Sequence, residues 1–405
     1  MKVLVAHNYY QQPGGEDATC EQECELLERS GHEVVFYKRS NKDIEDYSRW
    51  QRLRLSADTI WNARSRSEFR TLLERERPDV VHAHNTFVVL SPSIFAACED
   101  LGVPVVQTVQ NYRLFCPAAT FFRDGKICEE CLDHGLLRSV RHACYHGSRG
   151  ATAVVALMIA TNRRWETWPA KVRRIIAVTH FSRRKMVQAG LPEDQVVVKP
   201  NFVYPDPGEG CGARDYALFV GRLSPEKRVT TLLTAWGKLP DPIPLKIVGG
   251  GPDREGLERQ AKESNLKDVE FLGQIPRPKT LGMIQGARFL VFPSEWYEGF
   301  PVTICEAFAC GTPVICSRLG AMEEVVADGD TGFHFEPGDA GQLAGKALWA
   351  WTHPDEMRQM GRRARREFEA KYTAESNYPI LMSIYESVMA PSAAGARMQA
   401  EQCKV

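Results

Sequence analysis

RFLVFPSEWYEGFPVTICEAFACGTPVICS, residues 288–317, is the stretch on which the fold turns. RFLVFPS (288–294) is a near-continuous apolar run, as expected of a strand buried on both faces of a parallel sheet. Pro301 suits a first helical position, where its missing N–H would be unpaired anyway, and Gly311 suits the residue just past a helix end. TPVICS (312–317) reads as the next buried strand. The strand therefore leads through EWYEG into a short helix near Pro301, whose free N–H groups form an anion site.

The same stretch poses a chemical question. Glu298 lies in the loop and Glu306, eight positions on, lies on the second helical turn within VTICEAFAC, a run that is otherwise apolar except for Thr303. One reading places Glu306 in a cleft, accepting hydrogen bonds from sugar hydroxyls as an acidic residue does from ribose in dinucleotide folds. The other has it cap the helix or pair with a core arginine. Spacing alone does not separate the two.

Outward from this unit, similar runs recur between helix-length segments. In the first half they are KVLVAHN (2–8), EVVFYKR (33–39), DVVHAHN (79–85), PVVQTVQ (104–110), RIIAVTH (174–180) and QVVVKPN (195–201). In the second half ALFVGRL (217–223), LKIVGGG (245–251) and DVEFLGQI (268–275) precede the two already named. Strands alternating with helices, twice over, predict an α/β chain of two doubly wound sheets. VYPDPGEGCGAR (203–214) reads as a linker between them. The expected division is a first domain over 1–202, a second over 215–376, a helix over 377–390 docking back, and a disordered tail over 391–405.

Composition bounds the function. The chain has 405 residues, more than one core usually supports, with 43% apolar and 25% charged residues, and a formal net charge of zero. Zero net charge argues against a dedicated nucleic-acid binder. MKVLVAH has no signal-peptide pattern and no apolar run is long enough to span a membrane, so a cytoplasmic protein with mostly reduced or metal-bound cysteines is expected.

In doubly wound folds ligands sit outside the carboxyl ends of the strands, so the post-strand loops are where chemistry is expected. GRLSPEKR (221–228) puts Arg222 and Lys227 on such a loop, a fork and a point charge suited to a diphosphate. VGGGP (248–252), with Gly249 and Gly251, permits close backbone approach to a ligand or simply a tight turn. QQPGGED (11–17) offers Gly14 and Gly15 before a helix with Glu16 and Asp17 in its first turn, with the same two readings.

Together GRLSPEKR, VGGGP, FLGQI and EGFPVTICEAFACGTPVI, in this order, resemble the C-terminal domain of the retaining glycosyltransferases of glycosyltransferase family 4, which have the GT-B fold. GGED, LLERSGHEV, DVVHAHN, VTHFSRRKMVQAG and VVVKPNFV extend the resemblance over nearly all of residues 1–390. It implies two Rossmann-like domains facing a central cleft and transfer of a sugar from a nucleoside diphosphate donor to an acceptor hydroxyl with retained configuration. By position, Glu298 would hold donor-sugar hydroxyls and Glu306 the ribose. Arg222 and Lys227 would neutralise the diphosphate in place of a catalytic metal. Backbone N–H groups of Gly299, Phe300, Pro301 (which has none of its own), Val302 and Thr303 would assist, with Gly15 approaching from the other domain. Gln274 and Ile275 would meet the base through their backbone.

Two positions depart from the family pattern. Gln110 stands where many relatives carry His, and Phe202 where the P-N-G loop has Gly. Gln cannot titrate near neutral pH, which weakens the case for a histidine base there. His82 and His84 remain nearby; for His82 a structural role at a strand end is the expectation.

The first domain would hold the acceptor, whether glycan, lipid-linked or small molecule. Residues 138–185 carry eleven Arg or Lys against one acid, Glu166, with Trp165 and Trp168 among them. This is either a solvated basic face or a peripheral surface for anionic lipid headgroups. Cys116, Cys128, Cys131 and Cys144, in an insert over 113–147, have the count of a four-thiolate structural zinc site. Scattered thiols or a redox pair are the alternatives. The insert is expected to border the acceptor cleft without touching the donor. Competing functions are a GT-B nucleotide-sugar epimerase and a non-catalytic nucleotide-sugar-binding protein.

Overall fold

The computed structural model describes residues 1–11, 14–210 and 214–390. The first sheet begins with β1 (Lys2–Tyr9), β2 (Glu33–Ser40), β3 (Val80–Ala83) and β4 (Val105–Val109). A hairpin of β5 (Phe122–Arg123) and β6 (Lys126–Ile127) interrupts it within the cysteine-rich insert before β7 (Arg174–Ala177) and β8 (Val196–Val198) complete it. The second sheet contains β9 (Ala217–Val220), β10 (Leu245–Val248), β11 (Val269–Gly273), β12 (Phe289–Phe292), β13 (Val314–Ser317) and β14 (Gly332–Phe335). The strand orders are β2-β1-β3-β4-β7-β8 and β11-β10-β9-β12-β13-β14. The pairings β1·β2, β1·β3, β9·β10 and β9·β12 are parallel, as are the others in both sheets.

The eleven apolar runs read from the sequence all contain strands, and β14 is a twelfth that was not expected. In GFHF a glycine and a histidine replace half of the apolar pattern, although Phe335 is buried. The helix after β12 is Val302–Ala309; Pro301 is its N-cap rather than its first residue, and Gly311 follows Cys310 at φ +65, the left-handed turn expected there.

Helices cover both faces of each sheet. Val3, Val5, Val80, Val106 and Ile176 form one face of the first sheet, and Leu381, Ile384 and Tyr385 of the last helix, Ala374–Met389, pack against it. This helix follows the second domain in sequence yet belongs to the first domain's core. Burying Leu381 and Ile384 contributes roughly 3–6 kcal/mol before ordering costs. The expected tail at 391–405 and part of the linker, 211–213, lie outside the described residues.

In each sheet the chain reverses its direction of strand addition once: between β1 and β3, and between β9 and β12. A crevice opens at the carboxyl ends of such strand pairs. The loops after β9 and β12 are GRLSPEKR and SEWYEGF, so the topology puts Lys227 and Glu298 at the same crevice.

Candidate active site

Lys227 closes a short 3₁₀ turn, Pro225–Lys227, and its ammonium lies 2.5 Å from Glu298 Oε1. Ser294 Oγ (2.8 Å) and Trp296 Nε1 (2.7 Å) donate to the same oxygen. Three donors on one oxygen fix a carboxylate that is only 6% exposed. Backbone joins the two loops as well: Glu295 N–H donates to the Glu226 carbonyl at 2.9 Å. Arg222 is exposed on the same loop.

The glycines of VGGGP serve the neighbouring loop. A Cβ on Gly249 would meet the Gly221 carbonyl oxygen at 1.8 Å, and one on Gly251 the Leu223 oxygen at 2.2 Å. Both have positive φ, 141° and 156°. Leu223 N–H donates to the Gly250 carbonyl at 2.9 Å, so the glycine run holds the GRL backbone beside it. Turn chemistry, with a close approach between two protein loops, accounts for these glycines. Gln274 is exposed after β11, its side chain beside Gly250, and Ile275 follows it half-buried.

Glu306 is buried and accepts a 2.8 Å hydrogen bond from Arg277 Nε. Burial pushes its carboxyl up, and Arg277 partly offsets this. The partner is not a core arginine: its side chain is 36% exposed at the start of helix Arg277–Gly286, directly after Gln274 and Ile275, and it also donates to the Tyr204 carbonyl. Glu306 therefore lies beneath the rim of the cleft with an arginine over it, an arrangement between the two readings of the sequence. Arg277, Ser294 and Trp296 were not singled out from the sequence. The signal for Ser294 and Trp296 was their place in SEWYE; for Arg277 there was none.

Helix Val302–Ala309 points its N-terminus into the cleft. Val302 N–H is taken by the Phe300 carbonyl at 2.9 Å, leaving the N–H groups of Gly299, Phe300 and Thr303 without a backbone acceptor among the described residues. Gly299 touches the first domain: a Cβ there would lie 2.0 Å from the Gln110 carbonyl oxygen. Thr179 Oγ1 donates to the Gly299 carbonyl at 3.4 Å. Across the cleft, helix Gly15–Arg29 begins opposite, with Gly15 facing Val302. Asp17 is spent on its own domain, accepting from Gly14 N–H (3.0 Å) and bonded to His7 Nε2 (2.7 Å). Two helix N-termini thus face one crevice, a strong setting for an anion.

Gln110 is held by a reciprocal amide pair with Asn201, at 3.1 and 2.8 Å, so the two departures from the family pattern are neighbours. Phe202 beside it is buried. Behind Gln110 a pocket is lined by Glu16, His84, Gln107, Asn111 and Arg113. Glu16 accepts from Tyr10 Oη (2.7 Å) and Asn111 Nδ2 (3.1 Å), and burial pushes its carboxyl up. Gln107 Oε1 and His84 Nδ1 are buried without a hydrogen-bond partner among the described residues, polar atoms a hydroxyl-rich ligand would satisfy.

His82 and His84 join a buried cluster. Glu23 Oε1 is 2.9 Å from His82 Nδ1 and 3.2 Å from His84 Nε2, while Lys199 Nζ is 2.7 Å from Glu23 Oε2. Tyr385 Oη and Thr108 Oγ1 occupy the two nitrogens of His82 at 2.7 and 2.8 Å. Among the described residues, Glu23, His82 and His84 are the one set of three or more ligand-type side chains with atoms within 4.8 Å of one another. Lys199 pairs with the other carboxylate oxygen of Glu23, which makes this an ion-pair cluster.

Cys116, Cys128, Cys131 and Cys144 are all free thiols. They share one neighbourhood: burial pushes the Cys131 thiol up to about 12, and the charges of the other three add to it. Their sulfurs are spread more widely than the Glu23 cluster. The insert also reaches further than expected, touching the second domain. Glu129 Oε1 accepts from Tyr297 Oη at 2.8 Å and pairs with Lys185 at 2.7 Å, and the Gly125 carbonyl accepts from Arg228 Nη2.

With this geometry in place, two family models cover the chain: "Glycosyltransferase Family 4" over residues 13–206 and "Glycosyl transferases group 1" over 212–367. The chain belongs to glycosyltransferase family 4. It is 30% identical over 264 residues to a phosphatidyl-myo-inositol mannosyltransferase of Mycobacterium leprae, covering 61% of this chain and 67% of that one. It spans about half the length of other curated relatives that it matches. Among solved structures, sucrose-phosphate synthase of Thermosynechococcus elongatus superposes with a TM-score of 0.73 at 18% identity, covering 96% of this chain and all of that one. Anabaena HepE in complex with UDP-glucose gives 0.67 at 17%, covering 95% and 100%. These likenesses fix the fold as GT-B, two Rossmann-like domains about a cleft.

Proposed function

We propose that the protein transfers a sugar from a nucleoside diphosphate donor to an acceptor hydroxyl, retaining the anomeric configuration. The observation that carries this is the Lys227–Glu298 pair, held by Ser294 and Trp296 at the switch point of the second sheet, between two facing helix N-termini. A family relative named as a mannosyltransferase and a structural neighbour solved with UDP-glucose support the reading.

In this scheme the diphosphate lies between Gly15 and the N–H groups of Gly299, Phe300 and Thr303, with Arg222 and Lys227 on its oxygens. Lys227 exchanges part of its contact with Glu298 for the phosphate, which frees Glu298 to accept from sugar hydroxyls. Glu306 takes the ribose, and Arg277 swings from it or shares it. As the glycosidic bond breaks, negative charge grows on the β-phosphate and positive charge on the sugar. Fixed cations aimed at that phosphate stabilise the transition state more than the ground state. The leaving phosphate accepts the acceptor's proton on the same face, which gives retention without a carboxylate nucleophile. Arg222 and Lys227 supply the positive charge that other enzymes take from a metal, so turnover should survive chelation.

The acceptor is assigned to the pocket behind Gln110, and its hydroxyls to Gln107 and His84. Exposed Trp50, Leu137, Leu157 and Trp165 lie on helices that pack side by side, with Arg138, Arg141, Arg149 and Arg164 among them. That combination suits an anionic membrane surface and a lipid-linked acceptor. A structural zinc on Cys116, Cys128, Cys131 and Cys144 would cross-link the insert; four free thiols in one neighbourhood have the count for it, and binding would require the sulfurs to draw closer together.

Thermal-shift screening against a panel of nucleoside diphosphate sugars, followed by NMR of the product, tests the reading. A ligand at 100 times its Kd adds about 2.7 kcal/mol of stability. Retained configuration in the new bond is expected, and an inverted product would overturn the mechanism.

A further inference from the structure

The cysteine-rich insert of the first domain grips the second domain at two points, and both adjoin the proposed site. Glu129, between Cys128 and Cys131, bonds Tyr297, the residue immediately before Glu298. The Gly125 carbonyl, at the tip of the β5–β6 hairpin, bonds Arg228, the residue immediately after Lys227. Arg228 in turn pairs with Glu295 of the SEWYEGF loop at 2.8 Å. Its φ is +50°, so it marks a turn whose position the chain must hold between the Pro225–Lys227 turn and helix Val229–Trp236.

The surroundings make both grips specific. Tyr297 packs edge-on against Tyr112, Phe121 and Phe181 of the first domain, with ring centroids 6.4, 6.4 and 4.8 Å away. The hydroxyl at the end of this packed ring meets Glu129, and Lys185 at 2.7 Å holds the carboxylate in place. Gly125 has φ +77°, and a Cβ there would lie 2.8 Å from Arg228 Nη2, so a side chain at the hairpin tip would strain the turn and push the guanidinium aside.

We infer that the insert is a strap by which the first domain positions both donor loops, with Glu129 acting on Glu298 through Tyr297, and the Gly125 carbonyl acting on Lys227 through Arg228. Neither group touches donor; both are positioning groups. The inference deepens the transfer reading and rests on it for its kinetic part. Because the grips cross between domains, the strap ties the placement of one domain on the other to the geometry of the Lys227–Glu298 pair.

The test is a double-mutant cycle of Glu129→Ala and Tyr297→Phe, with Glu129→Gln as the conservative variant. Losing a hydrogen bond to a charged group predicts about a tenfold fall in kcat/KM for the donor in each single variant. The double variant should fall no further than the worse single one, because both remove the same contact. Glu129→Gln, whose carbonyl oxygen still accepts from Tyr297, should stay within about threefold of wild type. Donor KM should rise while acceptor KM stays constant, a split that partial unfolding would not produce. Independent, multiplicative losses, or a Glu129→Gln variant as impaired as Glu129→Ala, would overturn the strap.

A second readout does not depend on activity. Amide hydrogen exchange over residues 294–299 should speed up in Glu129→Ala while β1 and β9 stay protected. Faster exchange in a protein that turns over no nucleoside diphosphate sugar would keep the strap and remove the transfer reading. Unchanged exchange would remove the strap whatever the turnover.

Discussion

Each sheet carries a cluster of opposite charges near the carboxyl ends of its strands, and the two clusters are built for different ends. In the first domain Glu23, His82 and Lys199 are buried behind the pocket that His84 lines, with Tyr385 and Asn377 from the far end of the chain closing over them. In the second domain Lys227, Glu298, Arg277 and Glu306 sit along the cleft, with side chains of 16% and 36% exposure for the two cations. A sealed cluster costs several kcal/mol to desolvate and repays that only by complete pairing. An open one can exchange a partner for a ligand. On the transfer reading, the difference separates charge used to hold a fold from charge kept available for a substrate.

Breaking the sealed cluster should give the largest effect. Lys199→Met leaves Glu23 a buried carboxylate without its cation, and loss of about 3–5 kcal/mol is expected in urea unfolding followed on the first domain. Turnover per folded molecule should stay the same.

Acid should reach the same cluster. Burial pushes the Glu23 carboxyl up, but Lys199, His82 and His84 override it and hold it well below the usual range. Burial, helped by His82, pushes His84 down to about 4. The unfolded chain binds a proton at His84 more readily than the folded one, so stability is full above about pH 6.5 and falls toward pH 4. Glu23 acts in the same direction below about pH 4.5, where the unfolded carboxyl takes a proton that the folded one still refuses. Unfolding midpoints across pH 4–8 check this, and His84→Gln should flatten the upper part of the fall.

The open cluster predicts a shift in pH dependence. Arg277 opposes the upward push of burial on the Glu306 carboxyl. Removing it in Arg277→Gln should raise that pKa further, so the loss of donor affinity on acidification begins at higher pH. Donor KM measured against pH would show it; an unmoved acid limb would mean that Glu306 does not meet the donor as a carboxylate. The smallest effect is expected from Tyr385→Phe, which removes one hydrogen bond to His82 and should cost about 0.5–1.5 kcal/mol in the same urea assay.

The comparison also marks where sequence reading succeeds. Strands announce themselves locally, through runs such as RFLVF and PVVQTV, and the doubly wound pattern with its post-strand loops was legible from them. So was the neighbourhood of Lys227 and Glu298, because both follow strands of one sheet. β14 escaped because Gly332 and His334 dilute its pattern. The partners of each charge escaped for a different reason. Lys199 to Glu23, Tyr385 to His82 and Arg277 to Glu306 are contacts between segments far apart in sequence, and no local periodicity encodes them. The reach of the insert to Tyr297 and Arg228 is of the same kind.

Lys227→Ala, compared side by side with Lys199→Met for turnover and unfolding, tests the central claim most directly. With the donor that the panel identifies, Lys227→Ala should lose about 10²–10³ in turnover, the scale for one preorganised electrostatic group, with a smaller shift in unfolding midpoint than Lys199→Met because Ser294 and Trp296 still hold Glu298. A folded Lys227→Ala protein with near-wild-type turnover would contradict the assignment of the open cluster to the donor.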